Sequence, residues 1–187
     1  FFVSHDRYFI NTVATRQTFE SEYANYTEPD DSNGFTLLNI DKIEAIISYF
    51  AKEVANLYKV KLMKMLWYAD ATSYRENGFA MSGLIYRHEA MGALPVGHNS
   101  LMNLERVHVV EEMSYNFESM FHVHPVEGMN YSVLNEKEKK ILDRIIIKFK
   151  EYKAKDIVDY MHRETAYTKT ENGAIIPFSL AKEIKEF

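Results

Sequence analysis

Lys61-Leu62-Met63-Lys64-Met65-Leu66-Trp67-Tyr68-Ala69-Asp70 opens a stretch that continues through Tyr74, Gly78, Ser82-Gly83 and Tyr86 to Met91-Gly92-Ala93-Leu94-Pro95. Its periodicity predicts a helix from about Val60 to Asn77, with Leu62, Met65, Leu66, Ala69 and Ser73 on one face and Lys61, Lys64 and Asp70 elsewhere. Asn77-Gly78 supplies an αL-compatible stop. A short strand over 83–89 and a Gly/Pro corner follow. Nothing in the stretch is an evident nucleophile, metal ligand or phosphate cradle, so it reads as a packing and recognition unit.

Upstream, Ile40, Ile43, Ile46, Ile47, Phe50 and Val54 fall at helical spacing and predict a helix over about 41–55, capped by Asn39 or Asp41. Downstream, a short helix is expected over 97–104 and strands over 107–112 and 117–123. Asn135 with Glu138 three residues on makes a capping-box start for a helix carrying Ile141, Leu142, Ile145, Ile146 and Phe149. A shorter helix over 154–164, a turn at Asn172-Gly173 and a last helix capped by Ser179 after Pro177 complete the series. The fold class is mostly α (α+β): a helical domain over 35–187 with a small antiparallel β-sheet. Residues 17–34, polar and acidic through Glu20, Glu22, Glu28, Asp30 and Asp31, read as a linker.

The chain has 187 residues and a formal charge of −5, a balance that argues against unaided nucleic-acid binding. It has no cysteine, which excludes disulfides and thiolate metal sites. No apolar run approaches the ~20 residues needed to span a bilayer, and a cytoplasmic protein without membrane contact is expected.

Candidate chemistry is sparse. His122-x-His124 on a strand puts two imidazoles on one face, as metal sites often do, with His98, His108, Glu111 or Glu112 as further ligands. Glu111 and Glu112 point to opposite strand faces and make a poor acid–base dyad. Ser179-x-x-Lys182 has a Ser–Lys spacing but lacks the companion motifs of that chemistry. No catalytic residue and no cofactor are expected. Aromatic residues make up 14% of the chain, enough for a core and a recognition surface. Tyr68, Tyr74 and Tyr86 are the expected partner-binding anchors, with Asp70 beside the glycine corner and Lys61 and Lys64 available to an acidic partner.

The Lys61–Pro95 stretch resembles the signature of the SocA-like, or Panacea, antitoxin family of GepA-like phage-associated proteins, which runs K-L-x-K-L-L-Y-Y-A-D, then I-T-G, a tyrosine and Y-G-P-V-P. A second block, His162-Arg163-Glu164-Thr165-Ala166-Tyr167, is similar to the H-x-E-x-A-[W/Y] that closes a late helix in that family. The corner departs from the pattern: Met91 and Ala93 stand where the family usually has tyrosine and proline. The resemblance implies an antitoxin domain, not an enzyme, that binds a cognate protein toxin and neutralises it directly or presents it for proteolysis. A protease or chaperone, and a second copy of the chain, are further expected partners. One alternative is a phage-associated transcriptional regulator that meets nucleic acid only through an N-terminal module missing here. The other is a metal-dependent hydrolase using His122 and His124.

The first sixteen residues resemble the switch-histidine segment of ABC-F ATPases, with His5 as the matching residue. The seven glycines never form a P-loop, so this segment is expected to be a gene-junction remnant or a coincidental strand–helix, without function.

Overall fold

In the computed structural model, which describes residues 15–185, one long helix is enclosed by almost everything else. Residues 15–22 form α1, Ile40–Glu53 form α2, and Lys59–Asn77 form this central helix, α3. Every residue of α3 from Lys61 to Tyr74 is buried. The sequence reading of a one-sided helix, with Lys61, Lys64 and Asp70 off the packed face, is therefore corrected. A helix without a solvated face must satisfy its polar side chains internally.

The layers around α3 follow from amphipathic stripes. In α2 the expected isoleucines and Phe50 are buried, and the Asn39 side chain accepts from the Lys42 N–H at 3.0 Å. Helix α4 (His98–Met102) is a single short turn. Helix α5 (Glu136–Phe149) starts with the expected capping box: the Glu138 N–H donates to Asn135 and the Asn135 N–H to Glu138, both at 2.9 Å. Its buried Ile141, Leu142, Ile145, Ile146 and Phe149 face α2 and α3. Helices α6 (Ala154–Met161) and α7 (Thr165–Thr168) follow, and a 3-10 turn, Phe178–Glu183, closes against α3. Pro177 occupies the N-cap of that turn. Ser179, expected as the cap, instead donates its N–H and Oγ–H to Asp31, each at 2.7 Å.

The strands form two separate antiparallel hairpins rather than one sheet. Strands β1 (Tyr86–Glu89) and β2 (Gly92–Pro95) pair as Tyr86↔Pro95 through Glu89↔Gly92. The outer edge of β1 is covered by 173–176, where Ile176 and Gly173 donate to the Tyr86 and His88 carbonyls. Strands β3 (His108–Met113) and β4 (Ser119–His124) pair as His108↔His124 through Met113↔Ser119. The Val123 N–H donates to the Leu57 carbonyl, fastening this hairpin to the α2–α3 connection.

The expected linker over 17–34 is packed onto the domain. Phe19 and Tyr23 belong to the core cluster, and the Tyr23 hydroxyl donates to the Val96 carbonyl at 3.0 Å while accepting from the Ile85 N–H. Some of its polar side chains serve its own turns: Asp30 accepts from Ser32, and buried Asn33 bridges Asp30 and Glu28. The reading of residues 1–16, His5 included, lies outside the described residues except for Thr15 and Arg16. Among the described residues no helix is long and apolar enough to cross a membrane.

Candidate functional site

Each polar residue of the opening signature pins a different piece of chain to α3. Lys61 donates to the carbonyls of Lys150 and Tyr152 just past α5, at 2.8 and 2.7 Å. Lys64 donates to the Ala93 carbonyl in β2 at 3.0 Å, and burial lowers its pKa to about 8. Gly92 takes a φ of +99°, which favours glycine, and a Cβ there would also press on the Lys64 stem and Met161. Tyr68 packs among Trp67, Phe149 and Tyr160, with ring centroids 4.8–5.8 Å away, and burial raises its pKa.

Asp70 is buried and accepts from the most hydrogen-bond donors of these groups. Its Oδ1 accepts from the Met81 and Ser82 N–H groups, both at 2.8 Å, and its Oδ2 from the Ser82 and Tyr86 hydroxyls at 2.5 and 2.6 Å. Burial raises the Asp70 pKa against the pull of these donors, and raises that of Tyr86 as well. The turn between α3 and β1 is thereby wrapped around a single carboxylate. Gly83 completes it, since a Cβ there would run into the Leu37 backbone.

The two signature blocks meet in space. The Tyr68 hydroxyl donates to the buried Glu164 carboxylate at 3.0 Å, across 96 residues of sequence. His162 donates to the Ala90 carbonyl and Tyr167 to that of Glu89, so both hold the β1–β2 turn. The Tyr167 ring is stacked on His88 and His162, at 3.7 and 4.6 Å between centroids.

This geometry corrects the expected recognition face. Tyr68, Asp70, Tyr74, Tyr86, Lys61 and Lys64 are all buried, so none presents a surface to a docking partner. Tyr74, nearest the outside, lies between Phe35 and Phe178. These residues build the scaffold.

The most exposed aromatic groups lie elsewhere, although Phe35 and Phe79 are also half exposed. The β3–β4 hairpin ends in a turn closed by the Ser114 N–H on the Glu118 carbonyl, and there Met113 is 62%, Phe117 86% and Tyr115 100% exposed. Phe117 has a φ of +61°, a left-handed conformation that strains a side chain by about 1–2 kcal/mol. Sequence reasoning placed both strands but not this tip. The available signal was an aromatic pair, Tyr115 and Phe117, inside a turn, where glycine or asparagine is the ordinary choice.

Along one face of the same hairpin, His122, His124 and Glu112 come together as the His-x-His spacing suggested, while Glu111 faces away and accepts from Ser119. His122 and Tyr58 bond the Glu112 carboxylate and hold its pKa below the usual carboxylate range. Partial burial, and then the neighbouring His122 and His108, lower the pKa of His124.

A model of the antitoxin SocA-like family, Panacea domain, matches residues 62–185, more than half of the chain. That stretch holds both signature blocks apart from Lys61. No curated protein and no solved structure matches the chain.

Proposed function

The chain belongs to the antitoxin SocA-like family, Panacea domain, and on that premise we propose that it binds a cognate protein toxin directly and masks it through the tip of the β3–β4 hairpin. The observation that carries this reading is the exposure of Met113, Tyr115 and Phe117 on one turn. Apolar groups displayed together at one turn mark an interaction surface. Tyrosine and phenylalanine also combine large contact area with low ordering entropy. Each such side chain is worth roughly 1.5–3 kcal/mol when moved from water to an apolar site. Strain at Phe117 favours the same reading, because glycine would relieve it and remove the ring. The buried signature then acts as the frame that holds this tip in place, and the role is one of binding rather than catalysis.

Co-expression with the genes encoded beside it, scored by growth rescue and co-purification, tests the proposal. Rescue by a stable complex, lost in Tyr115→Ala/Phe117→Ala and retained in Tyr68→Phe, is the expected outcome. Rescue that disappears in a protease-deficient host would assign neutralisation to proteolysis instead. The toxin reading is refuted if no neighbour is toxic and nothing co-purifies.

A further inference from the structure

The register of β3–β4 sets His108 opposite His124, Val110 opposite His122 and Glu112 opposite Met120, so His108, Glu112, His122 and His124 share one face of the ribbon. One ligand atom each from Glu112, His122 and His124 lies within 4.8 Å of the other two. The closest pair, Glu112 Oε1 and His122 Nδ1, is 2.8 Å apart. Ligand atoms about 2.0–2.2 Å from a common ion in tetrahedral geometry sit roughly 3.3–3.6 Å from one another. A small adjustment of the rings converts the cluster into a coordination triangle.

The surroundings already orient two of the three. The His122 Nε2–H donates to the Ala55 carbonyl at 2.9 Å, which directs Nδ1 toward the cluster. The Tyr58 hydroxyl donates to Glu112 Oε2 at 2.8 Å, leaving Oε1 free to face Nδ1, and the Tyr58 ring is stacked on His122 at 4.6 Å. Ligating histidines and carboxylates in metal sites are held in this way by outer partners.

We propose that Glu112, His122 and His124 bind a divalent first-row transition ion. Two imidazoles and one carboxylate suit zinc, cobalt, nickel or iron(II), and disfavour calcium and magnesium, which call for all-oxygen shells. The ion takes the place of the hydrogen on the Glu112–His122 contact, and that proton leaves to solvent. Water fills the remaining position. Because the ligands come from both strands and their outer partners from the α2–α3 connection, the ion ties the two strands of the hairpin together beside the body of the fold. This inference stands independently of the toxin reading.

The test is calorimetric titration of the tag-free, chelator-treated chain with zinc chloride, alongside the visible spectrum with cobalt(II). One ion per chain and four-coordinate cobalt bands are expected. Binding should weaken more than tenfold in His124→Ala and about 10–100-fold in Tyr58→Phe, and remain unchanged in His162→Ala. Cobalt(II) broadening of the His122 and His124 ring protons in the NMR spectrum of the unaltered chain keeps the test valid should a variant fail to fold. Absence of binding below millimolar zinc would overturn the proposal. So would equal affinity in a His122→Ala/His124→Ala chain, or broadening confined to other histidines.

Discussion

Replacing Asp70 with alanine removes the one acceptor shared by four donors in the turn between α3 and β1. The Ser82 and Tyr86 hydroxyls can rotate in search of other partners, but the Met81 and Ser82 N–H groups are fixed by the backbone and are buried. Each buried donor left unpaired costs about 1–3 kcal/mol, so the two N–H groups alone imply roughly 2–6 kcal/mol. Removing a buried carboxyl group offsets part of this, and the expected net loss is about 2–4 kcal/mol. Against a typical domain stability of about 5–15 kcal/mol, that is a large fraction of the total. Asp70→Asn keeps one oxygen for the two N–H groups and turns its amide toward hydroxyls that can accept, so about 1–2 kcal/mol is expected. Urea unfolding followed by Trp67 fluorescence reads both variants, because the single tryptophan is buried next to Tyr68. An alanine variant within 1 kcal/mol of the parent, or an asparagine variant less stable than alanine, would refute the view that this carboxylate organises the turn.

Lys64 gives a pH signature. Its folded pKa of about 8 lies below the ordinary 10.5, so between those values the unfolded chain binds the extra proton and stability rises with pH. The burden of roughly 3 kcal/mol is present in full below about pH 8. Above about pH 10 the trend reverses, because Tyr68 and Tyr86 are held neutral in the fold and ionise only when it opens. Urea midpoints measured from pH 7 to 11 should pass through a maximum near pH 10, and Lys64→Met should flatten the rising limb. Tyr68→Phe strands the Glu164 carboxylate and should cost about 1–3 kcal/mol in thermal or urea unfolding. Phe117→Gly should move two assays in opposite directions. Relief of the left-handed strain, less the added chain entropy, raises stability by about 0.5–1 kcal/mol, while affinity for the cognate toxin falls at least tenfold; unchanged affinity would remove the hairpin tip from the interface.

What was legible in the sequence had short-range signals. Asn135 and Glu138 are three residues apart, and their reciprocal bonds formed as their spacing implied. The α2 stripe and the His122-x-His124 period needed only local geometry as well. Lys61, Lys64 and Asp70 misled because a charged residue on a helix ordinarily faces water. Their partners lie 11 to 91 residues away, and no local pattern discloses a carbonyl waiting at Tyr152 or Ala93. The segment 17–34 misled through composition: Asp30 and Asn33 serve its own turns, while Phe19 and Tyr23 in the core, and Glu22 and Asp31 through Ser100 and Ser179, anchor it to the rest of the fold. Tyr58 was missed as a support for Glu112 because 54 residues separate them, although the hairpin carrying Glu112 was readable by alternation.

The inward orientation of the signature bears on what membership in this family can predict. Lys64, Tyr68, Asp70, Ser82, Tyr86 and Glu164 answer to one another inside the protein, so selection on them acts through foldability. The tip at Met113–Phe117 forms no part of that web, and substitutions there leave the internal bonds intact. Two chains with matching signatures thus share a chassis without necessarily sharing a target. Divergence among relatives at this turn would be the place to read which toxin each one meets.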